Sequence, residues 1–286
     1  MRHDLQGPAL QEEAKGGQVG TSSLLLGCTT PFLRLVRAWA AWVPRAAGIP
    51  VGVVGQLWTW VPAAAALLAA ALTGGRAAVM EFGERLVRGR VGWHWYAVVI
   101  LGPAAFSGAV ALLYALLGGS WVAAAPPVLS GETSLVFVPL FLVVLFLTDG
   151  LGEELAWRGF ALPRLLVSFN ALVASLILGI LWALWHLPLV WPESAPLYQQ
   201  PVWVLLLDVT AKSVLFTWLF LHTRGSVLLA ALLHATTNLF VSPGIAEGGS
   251  MEFLLLAAFA KWILVLAVAG PGLAKGPRPE VLPKAY

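Results

Sequence analysis

Apolar residues run along this chain in long unbroken blocks, separated by short polar stretches. Seven blocks stand out, at 51–72, 95–118, 135–151, 171–191, 201–222, 226–241 and 252–270. A helix needs roughly 20 predominantly apolar residues to cross a bilayer. A spanning segment must also satisfy its own backbone N–H and C=O groups, so it is a helix or part of a closed barrel. The blocks lack the period-two alternation of barrel strands. The pattern therefore predicts an all-α integral membrane protein. We expect a bundle of about seven transmembrane helices, within a range of six to eight, around a polar intramembrane cavity.

Composition sharpens that picture. Of the 286 residues, 59% are apolar and 11% are charged, against about 25% charged in ordinary soluble domains. Fourteen tryptophans suit a chain with two membrane interfaces. The single cysteine, Cys28, excludes an internal disulfide and a cysteine-based metal cluster. A net charge of +3 gives no basic surface of the kind nucleic acid needs, so no nucleic-acid partner is expected. Membrane lipid is the partner that composition implies.

Domain limits follow from the same pattern. Residues 51–270 form one transmembrane domain, and 271–286 a polar, Pro/Gly-rich tail. Residues 1–50 read as a poorly ordered tail followed, at 31–50, by either an interfacial amphipathic helix or a degraded further span. There Arg34, Arg37 and Arg45 share one helical face, and Leu35, Val36, Trp39, Trp42 and Val43 share the other. Pro44 would kink such a helix.

Basic residues sort by loop. Arg76, Arg85, Arg88, Arg90, Arg158, Arg164, Arg224, Lys275, Arg278 and Lys284 lie in alternate connections and the tail. The intervening loops 119–134, 192–200 and 242–251 hold no Lys or Arg. Ten against none predicts that 74–92 and the C-terminus are cytoplasmic in a multi-pass protein of the inner or plasma membrane. Seven spans would then put the arginines of residues 1–50 outside, which fits poorly.

Ionisable residues at membrane depth are expensive and are functional candidates by default. The first group is Asp149-Gly150-Leu151-Gly152-Glu153-Glu154, followed by Arg158. Glu154 and Arg158 are adjacent on a helix, in the favourable order. Glu153 points about 100° away, so one carboxylate can be tied to the arginine while its neighbour stays free. A desolvated carboxylate suits general-base work near neutral pH, whereas an interfacial ion pair at a helix end is the plainer reading. The second group is Trp182, Trp185 and His186, and the third is His234 with Asn238 at i, i+4. Taken singly, His186 reads as packing and the His234–Asn238 pair as interhelical glue. Their occurrence on three separate apolar helices makes a site the stronger reading. With the third block ending near Glu153, bringing His186 to it requires tilted or broken helices.

These elements resemble the CPBP family, the CAAX prenyl endopeptidases also called the Abi family. Its pattern is E-E-x-x-x-R, then an aromatic residue four before a histidine, then H-x-x-x-N. Here it reads Glu153-Glu154…Arg158, Trp182…His186 and His234…Asn238. Trp182 stands where phenylalanine is usual. The resemblance covers roughly residues 74–241, and Arg88-Gly89-Arg90-Val91-Gly92 is similar to the family too. It implies an intramembrane peptidase that removes the last three residues of a prenylated protein, so the implied substrate is a lipidated peptide or protein. It further implies that Glu153 is the general base for water, with His186 holding that water. His234 and Asn238 would stabilise the oxyanion, Glu154 with Arg158 would support Glu153, and Trp182 would pack behind. A zinc held by Glu153, His186 and His234 is the alternative. The common H-E-x-x-H zinc helix is missing, so no cofactor is favoured.

Two other functions fit membrane-buried charges. A transporter would also bury Asp208 and Lys212, but usually shows internal repeats, and none is evident. A catalytically silent scaffold or immunity protein could keep every motif residue. Asp208 and Lys212, four apart, most simply pair with each other, and Lys261 has no partner evident from sequence.

Overall fold

The computed structural model describes residues 58–120, 134–190, 197, 199–240, 250–268, 273 and 281–282. The interfacial helix or further span expected within residues 1–50 lies outside them, as do most of the C-terminal tail and residues 51–57 of the first block. Seven helices make up the described chain. They are α1 (Val61–Leu86), α2 (Trp93–Leu116), α3 (Leu135–Ser168), α4 (Ala171–His186), α5 (Val202–His222), α6 (Val227–Leu239) and α7 (Met251–Val268). Six are long and apolar enough to cross a membrane, α4 with the tight turn Leu187–Leu189 that follows it. α6, at 13 residues, spans only about 20 Å. The outward faces are apolar, with Leu112, Leu116, Leu140, Phe141, Ile263 and Leu266 all exposed. That is the surface a bilayer solvates. The chain is thus an all-helical, multi-pass membrane protein.

Two elements differ from the apolar pattern. The first block was expected to end at 72, with 73–94 as a basic loop. Instead α1 continues to Leu86. The Gly74-Gly75 pair bends the helix rather than ending it. Gly75 takes φ 57° and ψ −146°, a conformation open to glycine alone. Beyond the bend Arg85 pairs with Glu81 one turn back at 2.6 Å, with both side chains buried. Charges that read as a loop are an ion pair inside a helix.

The larger difference is α3. It was expected to end near residue 151, yet it runs on to Ser168 through the whole E-E-x-x-x-R motif. Two wide π turns, Phe146–Gly150 and Leu155–Ala161, interrupt it. Such turns re-aim the side chains that follow and recur at functional sites. Its glycines let neighbours approach closely. A Cβ on Gly150 would lie 2.6 Å from the Ala231 carbonyl oxygen, and one on Gly152 would lie 2.4 Å from that of Thr59. Glu153 therefore sits midway along α3 rather than at its end. That removes the need to break a helix in order to bring the second motif to it.

Local signals explain the remaining boundaries. Asn170 caps α4 by accepting from the Val173 N–H at 2.9 Å, and Ser226 caps α6 by accepting from Leu229 at 3.2 Å, as N-cap residues do. Between α5 and α6 the chain reverses through Arg224 and Gly225, at φ 56° and 77°. α4 and α5 pack through small residues. Gly179 lies against Thr210, and the Ser213 hydroxyl donates to the Ser175 carbonyl at 2.9 Å. The α1–α2 loop and the α5–α6 turn meet at one end of the bundle. There Arg88 donates to the Arg224 carbonyl at 2.8 Å, and Arg224 to the Arg90 carbonyl.

Candidate active site

Three helices bring the motif residues together. α3 supplies Asp149, Glu153, Glu154, Trp157 and Arg158; α4 supplies Trp182 and His186; α6 supplies His234 and Asn238. α5 adds Phe216 as a wall.

Glu154 is the anchor. It has no exposed surface, and neither has Arg158. Its Oε1 accepts from Arg158 Nη1 at 3.0 Å and from His234 Nδ1 at 2.9 Å. The arginine contact has a single prong rather than a fork. The Arg158 guanidinium instead lies beside two rings that meet edge to face, 4.5 Å from the Trp182 centroid and 4.7 Å from that of Phe216. Arginine's flat, weakly hydrated cation suits such an aromatic corner. Glu154 Oε2 and Arg158 Nε and Nη2 are buried without a hydrogen bond, so what holds this group is charge and stacking more than complete hydrogen bonding.

Glu153 is held quite differently. Its Oε2 accepts from the Trp182 indole N–H at 2.6 Å and from that of Trp157 at 3.3 Å. Neither indole takes Oε1. A carboxylate bound along one edge in this way keeps its other oxygen for a further partner. Phenylalanine at position 182 could pack equally well but could not donate, so Trp182 adds a hydrogen bond that the sequence pattern alone does not suggest. We expect Trp182→Phe to preserve folding and lower turnover about ten-fold, the loss of one hydrogen bond to a charged group. Steady-state kinetics on purified protein check this, and unchanged turnover would reduce Trp182 to packing.

His186 and Asn238 lie on the more open side. His186 Nδ1 bonds the Trp182 carbonyl at 2.7 Å; as that oxygen only accepts, Nδ1 carries the proton and Nε2 faces away. Asn238 Nδ2 donates to Asp149 Oδ2 at 2.9 Å. Asp149 received no role from the sequence, although it lies one turn before Glu153 on α3. Its position four residues back was the available signal. Trp157 and Phe216 were also missed, since an aromatic in an apolar run looks like core. Glu153, Glu154, Arg158, Trp182 and His234 thus converge directly. His186 joins through the Trp182 backbone, and Asn238 through Asp149. The zinc set does not assemble. Glu153 turns to two indoles, His234 to Glu154 and His186 to a carbonyl, and among the described residues no three His, Cys, Asp or Glu side chains gather to hold a metal.

An all-helical membrane bundle with carboxylates, imidazoles and an amide converging at its centre defines a class of intramembrane proteins with a buried polar site. Comparison with known proteins narrows it. Residues 135–240 match the family described as "Type II CAAX prenyl endopeptidase Rce1-like". A relative from Methanococcus maripaludis, "CAAX prenyl protease 2", is 37% identical over 110 residues. That match covers 36% of this chain and 40% of the relative's length. Residues 135–240, matched by the family, contain every site residue from Asp149 to Asn238.

Proposed function

We propose that the chain is an intramembrane endopeptidase that cuts a peptide bond near the C-terminus of a lipidated, CAAX-type protein. The observation that carries this is the unequal treatment of two adjacent carboxylates. Glu154 is fully buried and tied to Arg158 and His234, while Glu153 keeps one oxygen for water. A pair of titratable groups in contrasting environments is how one site separates support from chemistry.

In this reading Glu153 Oε1 takes a proton from water as that water attacks the scissile carbonyl, and later delivers it to the leaving amine. His186 holds the water through Nε2. A protonated His234 gives Nδ1–H to Glu154 and Nε2–H to the developing oxyanion. Asn238 spends one N–H on Asp149 and offers its other to the same oxygen. Each such donor contributes about 3–4 kcal/mol in well-characterised sites. No metal takes part in these steps.

The test is cleavage of a farnesylated peptide with a free C-terminus by purified protein in detergent, followed by mass spectrometry, with and without a chelator. We expect release of a C-terminal fragment at the same rate in both. Intact peptide after prolonged incubation would overturn the proposal, and reversible loss of activity with chelator would overturn its metal-free chemistry.

The reading also includes residues 51–270 as the peptidase domain and a cytoplasmic basic end. Arg88, Arg90 and Arg224 interlock at one end of the bundle, as one cytoplasmic cluster would. In a Cys28→Ser background, single cysteines at positions 88 and 280 should resist an impermeant thiol reagent added to intact cells. Labelling at either position would reverse the orientation.

A further inference from the structure

One charged group within the membrane bundle has no part in the steps above. Asp208 on α5 accepts from Lys212 one turn on, at 2.9 Å, and also from Lys261 on α7. Lys261 also lies 5.7 Å from the Phe106 ring of α2. The neighbouring Trp262 donates to the Leu207 carbonyl at 3.1 Å, which fixes α7 against α5 at this level. One carboxylate thus serves two ammonium groups. The cluster has a surplus positive charge in an apolar setting, where an uncompensated charge is costly. A single lysine would have sufficed to neutralise Asp208, and among the described residues the second has no carboxylate of its own. The three side chains are partly open, at 15–21% of their surface.

Its placement indicates which anion would answer that charge. Asp208, Lys212 and Phe216 are spaced four apart and share one face of α5. Phe216 packs on Trp182 and His234, with ring centroids 5.5 and 6.0 Å away. The same face therefore leads from the catalytic cluster to the lysines. Lys212 stands about 6 Å from Phe216 along the helix, and Asp208, where its ammonium lies, about 12 Å. Three extended residues span about 10 Å. A CAAX-type substrate has its free carboxylate three residues beyond the cut.

We propose that Lys212, with Lys261 as its partner on Asp208, binds the C-terminal carboxylate of the substrate, which sets the cut a fixed distance from the chain end. Lys212, on the face shared with Phe216, makes the contact, and Lys261 holds Asp208 so that Lys212 can turn to the substrate. This rests on the peptidase reading, and it can be examined separately from it.

The experiment compares one farnesylated peptide as free acid and as C-terminal amide. Wild type should favour the acid in kcat/KM by about ten- to a hundred-fold, the effect of a charge-assisted hydrogen bond. The ratio should fall towards one in both Lys212→Met and Lys261→Met, each of which leaves a neutral pair with Asp208. Equal use of acid and amide by wild type overturns the proposal without any variant. Thermal unfolding with an acetylated apolar tripeptide, acid or amide, gives a reading independent of turnover. If nothing is cleaved but the acid alone raises Tm, and does so only with Lys212 present, the peptidase reading fails and the carboxylate site stands. If acid and amide shift Tm alike, the site fails. If phosphatidylglycerol shows the Lys212-dependent shift and the peptide acid does not, the anion is a lipid phosphate and the proposal is overturned.

Discussion

Arg158→Ala is expected to destabilise the protein by about 3–5 kcal/mol, the cost of stripping one partner from a buried ion pair. Three contacts go at once. Glu154 Oε1 loses a donor at 3.0 Å, and the Trp182 and Phe216 rings lose the guanidinium that packs against both. Glu154 would remain fully buried, with only His234 to answer its charge. Arg158→Lys should recover part of this. The contact to Glu154 has one prong, so an ammonium could make it. A compact, strongly hydrated ammonium packs less well against two rings than a guanidinium does, so stability should fall between wild type and Arg158→Ala. Thermal unfolding and detergent-solubilised yield measure both variants. Wild-type yield and Tm in Arg158→Ala would show that the pair contributes little. Wild-type behaviour in Arg158→Lys would show that charge alone suffices and the contact with the rings is incidental.

The seven helices were legible because apolar runs of membrane length leave few alternatives. Five of the seven helices begin and end within a few residues of the apolar blocks. The two boundaries that moved, at the ends of α1 and α3, moved for one reason. Charged residues were read as solvent-facing, while Glu81 with Arg85 and Glu154 with Arg158 neutralise each other at i, i+4 inside the bundle. Hydropathy counts such a pair as two polar residues, although its partners cover each other. The site was legible as a list and not as a geometry. Spacing placed Glu154 beside Arg158 correctly, since both lie on one helix. Which carboxylate meets His234, or that an indole from α4 reaches Glu153, depends on the packing of separate helices and on two π turns that no spacing rule anticipates. Asp149 shows the limit well. It heads the motif segment, yet its role depends on Asn238, 89 residues later. Lys261 is the same case, without a partner in sequence and bound to Asp208 across the α5–α7 contact.

Glu153→Gln should leave the fold intact and remove the base. Glutamine keeps the shape, and its carbonyl oxygen can still accept from the indole of Trp182. It cannot accept a proton from water near neutral pH. Turnover should therefore fall by ~10²–10⁴, the range for a positioned general base. Peptide binding should be little changed, because no substrate contact is assigned to Glu153 other than through water. Glu154→Gln should behave otherwise. Its loss removes the negative charge between Arg158 and His234, so the variant should be damaged in stability as well as rate. The contrast between neighbouring residues is what distinguishes a base from an anchor. Both variants can be followed by single-turnover cleavage and thermal unfolding in the same detergent. If Glu153 instead held a metal, Glu153→Gln would lower bound zinc measured by mass spectrometry, and stoichiometric zinc in active wild type would sink the water-activation reading. If Glu154→Gln keeps its stability while losing all turnover, and Glu153→Gln stays active, the two roles are reversed. The base would then be the carboxylate that the bundle buries most deeply.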